Sequence, residues 1–258
     1  MIISKLQGGL GNQLFQWAYG KSLSNLSDQP YYLDLSSYYS NNPAITPRSY
    51  ELKKLNISTP EIIDIISAAI IVNDNFEYKP YRPDPAQNHY LDGYWQSEKY
   101  FKESESLIRT ILQPQEEILL SLLDIVDFNQ ISVSLHIRRT DYLTSNNFHP
   151  VQNLNYYNKA LKTIGKYNKL YIVSDDIVWC KNNLKYDKMV FVENTTNIQD
   201  LYIMSMCHHN IIANSSFSWW GAWLNSNPKK IVIAPKNWFG NKNINTSDII
   251  PSEWITLD

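Results

Sequence analysis

From Ile131 onward, short β-rich runs alternate with helical patterns, and this alternation limits the fold more than any single motif does. "ISVSLHI", "LNYYNKALKTI", "LYIVS", "DIVWCKNNL", "MVFVE", "IQDLYIMSM", "NIIAN", "FSWWGAWL" and "KIVIAP" follow one another with no long linker. Strands alternating with helices of this length predict a parallel sheet built from βαβ units. Residues 1–35 predict one more such unit: strand "IISKL", a glycine turn, helix "NQLFQWAYGKSLS" and strand "YYLDL". The middle is less regular. Three amphipathic helices are expected there, "TPEIIDIISAAI" with Thr59 and Pro60 as N-cap and first helical residue, "SEKYFKESESLIRTIL" and "PQEEILLSLLDIVD". A boundary near Asn129 then gives two α/β domains, 1–129 and 130–258, facing a cleft, with ligands at the carboxyl ends of the strands.

Composition narrows the function classes. Lys and Arg number 23 against 25 Asp and Glu, so no basic field draws nucleic acid to the surface, and an anion must be held locally. The two cysteines, Cys180 and Cys207, are too few for a disulfide framework. The longest apolar run, "IIDIISAAIIV", contains Asp64 and falls short of the roughly 18 to 20 residues of a membrane span. "MIISKLQGGLGNQ" has no basic n-region and reads as a first strand, so a cytoplasmic chain, at most peripheral at the inner face of the cell membrane, is expected.

Four stretches carry chemistry. "GGLGNQ" at 8–13 follows a strand and opens a helix, where glycines let backbone N–H groups approach an anion; a tight strand-to-helix turn is the plain structural alternative. Leu14 occupies the third glycine position of a dinucleotide fingerprint, so that motif is incomplete. "HIRRTD" at 136–141 ends a strand: one arginine can fork onto a phosphate while its neighbour pairs with Asp141. In "SDD", Ser174 or Asp175 suits the cap of the following helix, and Asp200 suits the first turn of another; either carboxylate, Asp175 or Asp200, could instead meet a guanine edge. "NSSFSWWGAWLN" at 214–225 divides in two. Its serines suit a cap or an anion site, whereas Trp219 and Trp223 share a helical face, as core residues do, and Gly221 permits close packing. No Asp-x-Asp pair occurs, His208 and His209 make a poor metal pair, and no nucleophile motif is evident. Electrostatic, metal-free handling of a diphosphate is what remains.

Taken together, "GGLGNQLFQWAYGKSLS", "LDGYWQSEKYF", "HIRRTDYL", "YIVSDDIVWCKNNL" and "DLYIMSMCHHNIIANSSFSWWGAWL" resemble glycosyltransferase family 11, the α-1,2-fucosyltransferases, here of bacterial type. The blocks fall in the family's order over nearly the whole chain. The resemblance implies a GT-B-like fold of two Rossmann-type domains, with an N-terminal acceptor side and a C-terminal domain for GDP-fucose. It implies inverting transfer of L-fucose to the 2-hydroxyl of a terminal β-galactoside, on an oligosaccharide or lipid-linked glycan, as in O-antigen synthesis. GDP-fucose would be a substrate, and no cofactor or metal would be required.

The more distant α-1,6 and protein O-fucosyl types share the His-x-Arg-Arg-x-Asp signature, and similarity to them implies roles. Arg138 would grip the β-phosphate, His136 and Asp200 the guanine, and Ser215 and Ser216 the phosphates, with Asn12 reaching the same diphosphate. Gly9, Gly11, Asp175, Asn214 and Phe217 would complete the donor site. The α-1,6 type carries a glutamate in the loop between Asp141 and Phe148, where this chain has "YLTSNN" and no carboxylate. Asp141, His149 or a water are therefore the base candidates. Tyr94, Trp95, Gln96 and Tyr142 are candidate acceptor contacts, with packing as the alternative for Tyr94 and Trp95. Two other readings are a transferase for another nucleotide sugar and a non-catalytic carbohydrate-binding protein.

Overall fold

The β-rich runs become strands and the amphipathic runs helices, giving two α/β units whose sheets are parallel throughout. The computed structural model describes residues 1–39, 47–62, 69–74, 76–127 and 129–258. In the first unit, β1 (Ile2–Lys5), α1 (Leu10–Ser27), β2 (Tyr31–Asp34), β3 (Ala69–Asn73) and β4 (Asn88–Asp92) form a sheet of order β2-β1-β4-β3, followed by α2 (Glu105–Ile111). The second unit holds α3 (Glu116–Leu122), β5 (Ser132–Ile137), α4 (Thr140–Thr144), α5 (Leu154–Ile164), β6 (Lys169–Ser174), α6 (Ile177–Asn183) and β7 (Met189–Phe191). It continues with α7 (Asn197–Met206), β8 (His209–Ile211), α8 (Ser216–Leu224), β9 (Val232–Pro235) and β10 (Ile255–Leu257), and its sheet order is β10-β9-β8-β5-β6-β7.

The units are Met1–Gln113 with Asn245–Pro251, and Pro114–Ile244 with Ser252–Asp258, so the boundary lies at Pro114 rather than Asn129. Packing explains the shift. α3 lies against α7, and Gln199 Nε2 donates to Ser121 Oγ at 3.0 Å. Near the chain end, Asp248 accepts from the Tyr78 N–H at 3.0 Å and pairs with Lys99, which ties 245–251 to the first unit. The helix expected at 59–70 is not seen at its described ends. Its middle, 63–68, lies outside the described residues, while Glu61 bridges to Leu33 and Ala69 and Ile70 open β3, in keeping with the β-branched run that follows. The helix expected at 97–112 is reduced to short 3-10 turns and α2.

β5 is buried along its whole length, as a central parallel strand should be, and Val133, Leu135 and Ile137 pack with Tyr156, Tyr157, Leu170 and Ile172. Trp219, Trp220 and Trp223 on α8 are buried as well, in agreement with their helical spacing. A Cβ on Gly221 would meet Met204 Cβ at 2.7 Å, so the glycine is what lets α8 approach α7. Lys230 Nζ donates to the carbonyls of Ala222 (2.8 Å) and Asn225 (2.7 Å) and so caps the C-terminal end of α8 with a positive charge.

Candidate active site

Strand order locates a crevice in the second unit. Running from β5, the chain adds β6 and β7 on one side, then returns to add β8, β9 and β10 on the other. Connections leave β5 and β8 in opposite directions, and ligands of open α/β sheets bind outside the carboxyl ends of strands at such a switch point. β5 leads into Arg138 and Arg139, and β8 leads into Asn214, Ser215 and α8, so two motifs far apart in sequence meet here.

His136, next to last in β5, is buried; its Nδ1 has no hydrogen-bond partner, and Phe217 of α8 meets its ring edge-on at 5.9 Å. Burial first, then Arg138, pushes its pKa down to about 3 against the pull of Asp175, so the imidazole is neutral at neutral pH. An unfolded histidine titrates near 6.5. Between these values the unfolded chain holds a proton that the folded one lacks, so this contribution is present above about pH 6.5 and is lost as pH falls toward 3, by about 1.4 kcal/mol per unit. Urea midpoints at pH 7, 6 and 5 should therefore fall less steeply in His136→Gln than in the wild type; parallel slopes would exclude His136 as the source.

Arg138 reaches Asp141 Oδ1 at 2.6 Å and Asp175 Oδ2 at 3.2 Å. Arg139 instead bonds Asp176 at 3.1 Å and lies 3.9 Å over the Trp179 ring. The partner of Asp141 is thus Arg138 itself, not its neighbour, because α4 begins at Thr140 and turns Asp141 back within i,i+3 reach. Asp175 accepts from the backbone N–H groups of Arg139 (2.9 Å) and Thr140 (3.1 Å) and from the Thr140 hydroxyl. Its carboxylate braces the first turn of α4 and is taken up by the fold, not turned to a base edge. The cap of α6 is Asp176, through the Trp179 N–H at 3.1 Å, while Ser174 Oγ accepts from the Asp176 N–H.

Across the switch point Ser215 is the N-cap of α8, makes no side-chain cap bond, and is followed by no acid in the first turn. The positive end of the helix dipole is thus uncompensated there. Ser216 and Phe217 are half-buried beside it. Asn214 is committed inward: Nδ2 donates to Trp238 O (3.0 Å), Oδ1 accepts from Gln152 Nε2 (3.0 Å), and its carbonyl accepts from the Tyr142 hydroxyl (2.9 Å). Asn214 and Tyr142 therefore hold the turn, and the Tyr142 hydroxyl is not turned to an acceptor. His149 stacks on Tyr142 at 4.7 Å with Phe239 5.6 Å away, and burial keeps its pKa below the usual value despite Asp141. Asp200 accepts from Thr195 Oγ1 at 2.6 Å, and burial raises its pKa. No hydrogen bond among the described residues joins Asp200 to His136.

In the first unit, Gly8 has φ +79, and a Cβ on it would meet Asn12 Nδ2 at 2.6 Å. Only glycine combines this backbone with room for the asparagine amide. Gln13 stitches the turn, donating to Gly8 O (3.0 Å) and Ser49 O (2.8 Å). Gly9 caps α1 without a side chain, Gly11 lies in its first turn, and Gln96 Nε2 donates to Asn12 Oδ1 at 2.9 Å. Gln96 and Trp95 are interior: Trp95 is only 2% exposed, packed on Tyr19 (4.7 Å) and Tyr100 (5.2 Å). Of the four expected acceptor contacts, Tyr94 alone is not buried, and it is half-buried.

The family model described as glycosyl transferase family 11 matches residues 4–258. The chain belongs to this family. It is 32% identical to the alpha-1,2-colitosyltransferase of Escherichia coli, over 100% of this chain and 99% of that one. It is 30% identical to the O-antigen biosynthesis glycosyltransferase WbnK of Escherichia coli (99% and 100%) and 27% identical to the galactoside 2-alpha-L-fucosyltransferase of Caenorhabditis elegans (90% and 71%). Among solved structures it resembles the alpha-1,6-fucosyltransferase NodZ soaked with GDP-fucose, with a TM-score of 0.51 and 16% identity over 86% of this chain and 91% of that one. That likeness is one of fold, α/β and GT-B-like.

As a family 11 glycosyltransferase, the chain is an enzyme of sugar transfer, and its switch-point residues are the ones to examine. The structure brings His136, Arg138, Asp141, Asp175 and Phe217 together around β5 and α8. The braces Gln13, Gln152 and Asp176 were not singled out from sequence. Asp176 could have been, since it precedes the helix directly; the other two bond to groups remote in sequence. Among the described residues no group of three or more His, Cys, Asp or Glu could hold a metal ion, and no helix is long and apolar enough to cross a membrane.

Proposed function

We propose that the enzyme transfers L-fucose from GDP-β-L-fucose to the 2-hydroxyl of a terminal β-galactoside, with inversion and without a metal. The observation that carries this reading is the switch point, where an arginine and an uncompensated helix N-terminus stand beside a neutral, buried histidine with an unpartnered ring nitrogen. Arginine and the helix end suit a diphosphate, and the histidine suits a base edge. The linkage named for the colitosyl relative and the sugar named for the nematode relative support the same reaction.

In the reaction the galactose oxygen forms a bond to fucose C1 as the bond from C1 to the β-phosphate oxygen breaks. The hydroxyl proton leaves to Asp141, His149 or water. The transition state is oxocarbenium-like, and charge grows on the departing phosphate. Arg138 and the α8 N-terminus would meet that charge, at on the order of 3 to 4 kcal/mol per well-placed donor. Ser215 and Ser216 would hold the phosphates, with Asp200 and His136 at the guanine. The WbnK relative supports O-antigen synthesis as the setting.

A second donor is favoured by one observation, the colitosyl relative. Colitose is L-fucose without its 3-hydroxyl, so a site that hydrogen-bonds this hydroxyl would reject it by about 10⁴-fold. GDP release should be measured with GDP-fucose and with GDP-colitose, against lactose, N-acetyllactosamine and a Galβ1,3 disaccharide, with and without chelator. Fast, chelator-insensitive release with GDP-fucose is expected. Preference for GDP-colitose, or loss of activity in chelator, would overturn the donor or the metal-free assignment.

A further inference from the structure

The first unit's sheet has the order β2-β1-β4-β3, and at the carboxyl ends of the adjacent strands β1 and β4 stand Lys5 and Asp92. Lys5 Nζ bonds Asp92 Oδ2 at 2.9 Å, with the side chains 28% and 33% exposed. Register puts Asp34 of β2 opposite Lys5, so residues of β2, β1 and β4 form one polar row along this edge. Asp34 is not available to a ligand: it is buried and accepts from the Tyr90 hydroxyl at 2.5 Å and the Ser36 N–H at 2.8 Å. Lys5, Asp92 and the residue two beyond it, Tyr94, are the open part of the row.

Tyr94 is held in place from behind. Asp74 Oδ2 accepts from the backbone N–H groups of Tyr94 (3.1 Å) and Trp95 (2.8 Å), and the Phe76 ring stacks parallel to Tyr94 at 6.0 Å. Trp95 takes φ 55 at this bend, which sends its own ring into the core. Burial raises the Tyr94 pKa, while Lys5 and Asp92 pull it in opposite directions. Among the described residues the Tyr94 hydroxyl and Asp92 Oδ1 have no hydrogen-bond partner, and Lys5 has one.

We infer that Lys5, Asp92 and Tyr94, at the carboxyl ends of β1 and β4, form a binding subsite for the hexopyranose of the acceptor. Both side chains are partly exposed, so the pair is within reach of a ligand and solvent screens its contribution to stability. Its chemistry fits a neutral polyol: a carboxylate accepts from hydroxyls, an ammonium donates to them, and a tyrosine offers a face to sugar C–H groups and a hydroxyl at its tip. The subsite rests on the reading of the protein as a galactoside-directed transferase, and it replaces Trp95, Gln96 and Tyr142 as the acceptor contacts.

Saturation-transfer NMR with methyl β-D-galactopyranoside and lactose, with and without saturating GDP, tests the subsite without relying on turnover. Wild type should show transfer to the galactose ring. Tyr94→Leu, Asp92→Asn and Lys5→Met should each raise the galactoside Kd by about tenfold or more, with GDP affinity within about twofold of wild type and melting temperatures little changed. No galactoside signal in the wild type, unchanged signals in all three variants, or a loss of GDP affinity in its place would each overturn the proposal. If the fucosyl reading alone fails, galactoside binding and its loss in the variants persist while GDP-fucose supports no GDP release.

Discussion

Purified Arg138→Lys is expected to keep its fold and to lose kcat/KM by about 10³, equivalent to about 4 kcal/mol of transition-state stabilisation. The size follows from geometry. Arg138 spans two carboxylates with separate nitrogens, at 2.6 Å to Asp141 and 3.2 Å to Asp175, and the same fork is what a phosphate with two oxygens requires. Lysine places one charge at one point and cannot bridge two oxygens. The fold survives because Arg138 is partly exposed, and the charge that pairs with Asp141 or Asp175 is retained. Arg139→Lys is the internal control. Arg139 holds Asp176 and covers Trp179, so its loss should lower the melting temperature more than the turnover of folded enzyme. Steady-state kinetics and thermal melting of both variants decide the matter; near-normal turnover in Arg138→Lys would remove Arg138 from the diphosphate site.

Trp219→Ala is expected to cost on the order of 3 to 5 kcal/mol, a large share of the roughly 5 to 15 kcal/mol that holds a typical domain together. Trp219 is fully buried at the centre of an aromatic cluster, 5.3 Å from Trp220, 6.1 Å from Trp223 and 5.5 Å from Trp254. Its removal leaves a cavity where α8 meets the rest of the unit, and close packing of α7 on α8 leaves little room for collapse. Urea unfolding measures the loss, and Trp219→Phe, which fills part of the space, should recover some of it. Because α8 presents Ser215 and Ser216 at its start, GDP affinity should fall in Trp219→Ala even under conditions where the protein stays folded. A change below about 1 kcal/mol would mean that Trp219 does not anchor the helix.

Both outcomes concern "NSSFSWWGAWLN", and this stretch shows what could be read from residues alone. Its two halves separate by periodicity: Trp219 and Trp223 recur at helical spacing and are core, while the serines stand at the strand-to-helix turn. Asn214 was less legible. Its three hydrogen bonds go to Trp238, Gln152 and Tyr142, none of them near it in sequence, so only folding shows that it braces the turn. The same holds for Asp175 and Asp176. Ser174 or Asp175 suited the cap, yet Asp176 serves, with Asp175 drawn off to the N–H groups of Arg139 and Thr140.

The middle of the first unit was the least legible. "TPEIIDIISAAI" carries both a helix-start signal and a β-branched run, and at its described ends strand pairing prevails, with β3 adding to β4. β4 and β10 were not anticipated, since both are completed by neighbours supplied from elsewhere in the chain.

What the sequence determined by itself is what local chemistry and spacing encode: parallel α/β units, the glycine turn at Gly8, the tryptophan face of α8 and the motif blocks of family 11. The tertiary structure decided the rest. Strand order, which no local pattern specifies, set the switch point at β5/β8 and paired β1 with β4, and so brought Arg138 to the α8 N-terminus and Lys5 to Asp92. It also decided which polar side chains are committed inward, because a hydrogen bond between distant residues depends on where the sheet places both partners, and periodicity records only one of them at a time.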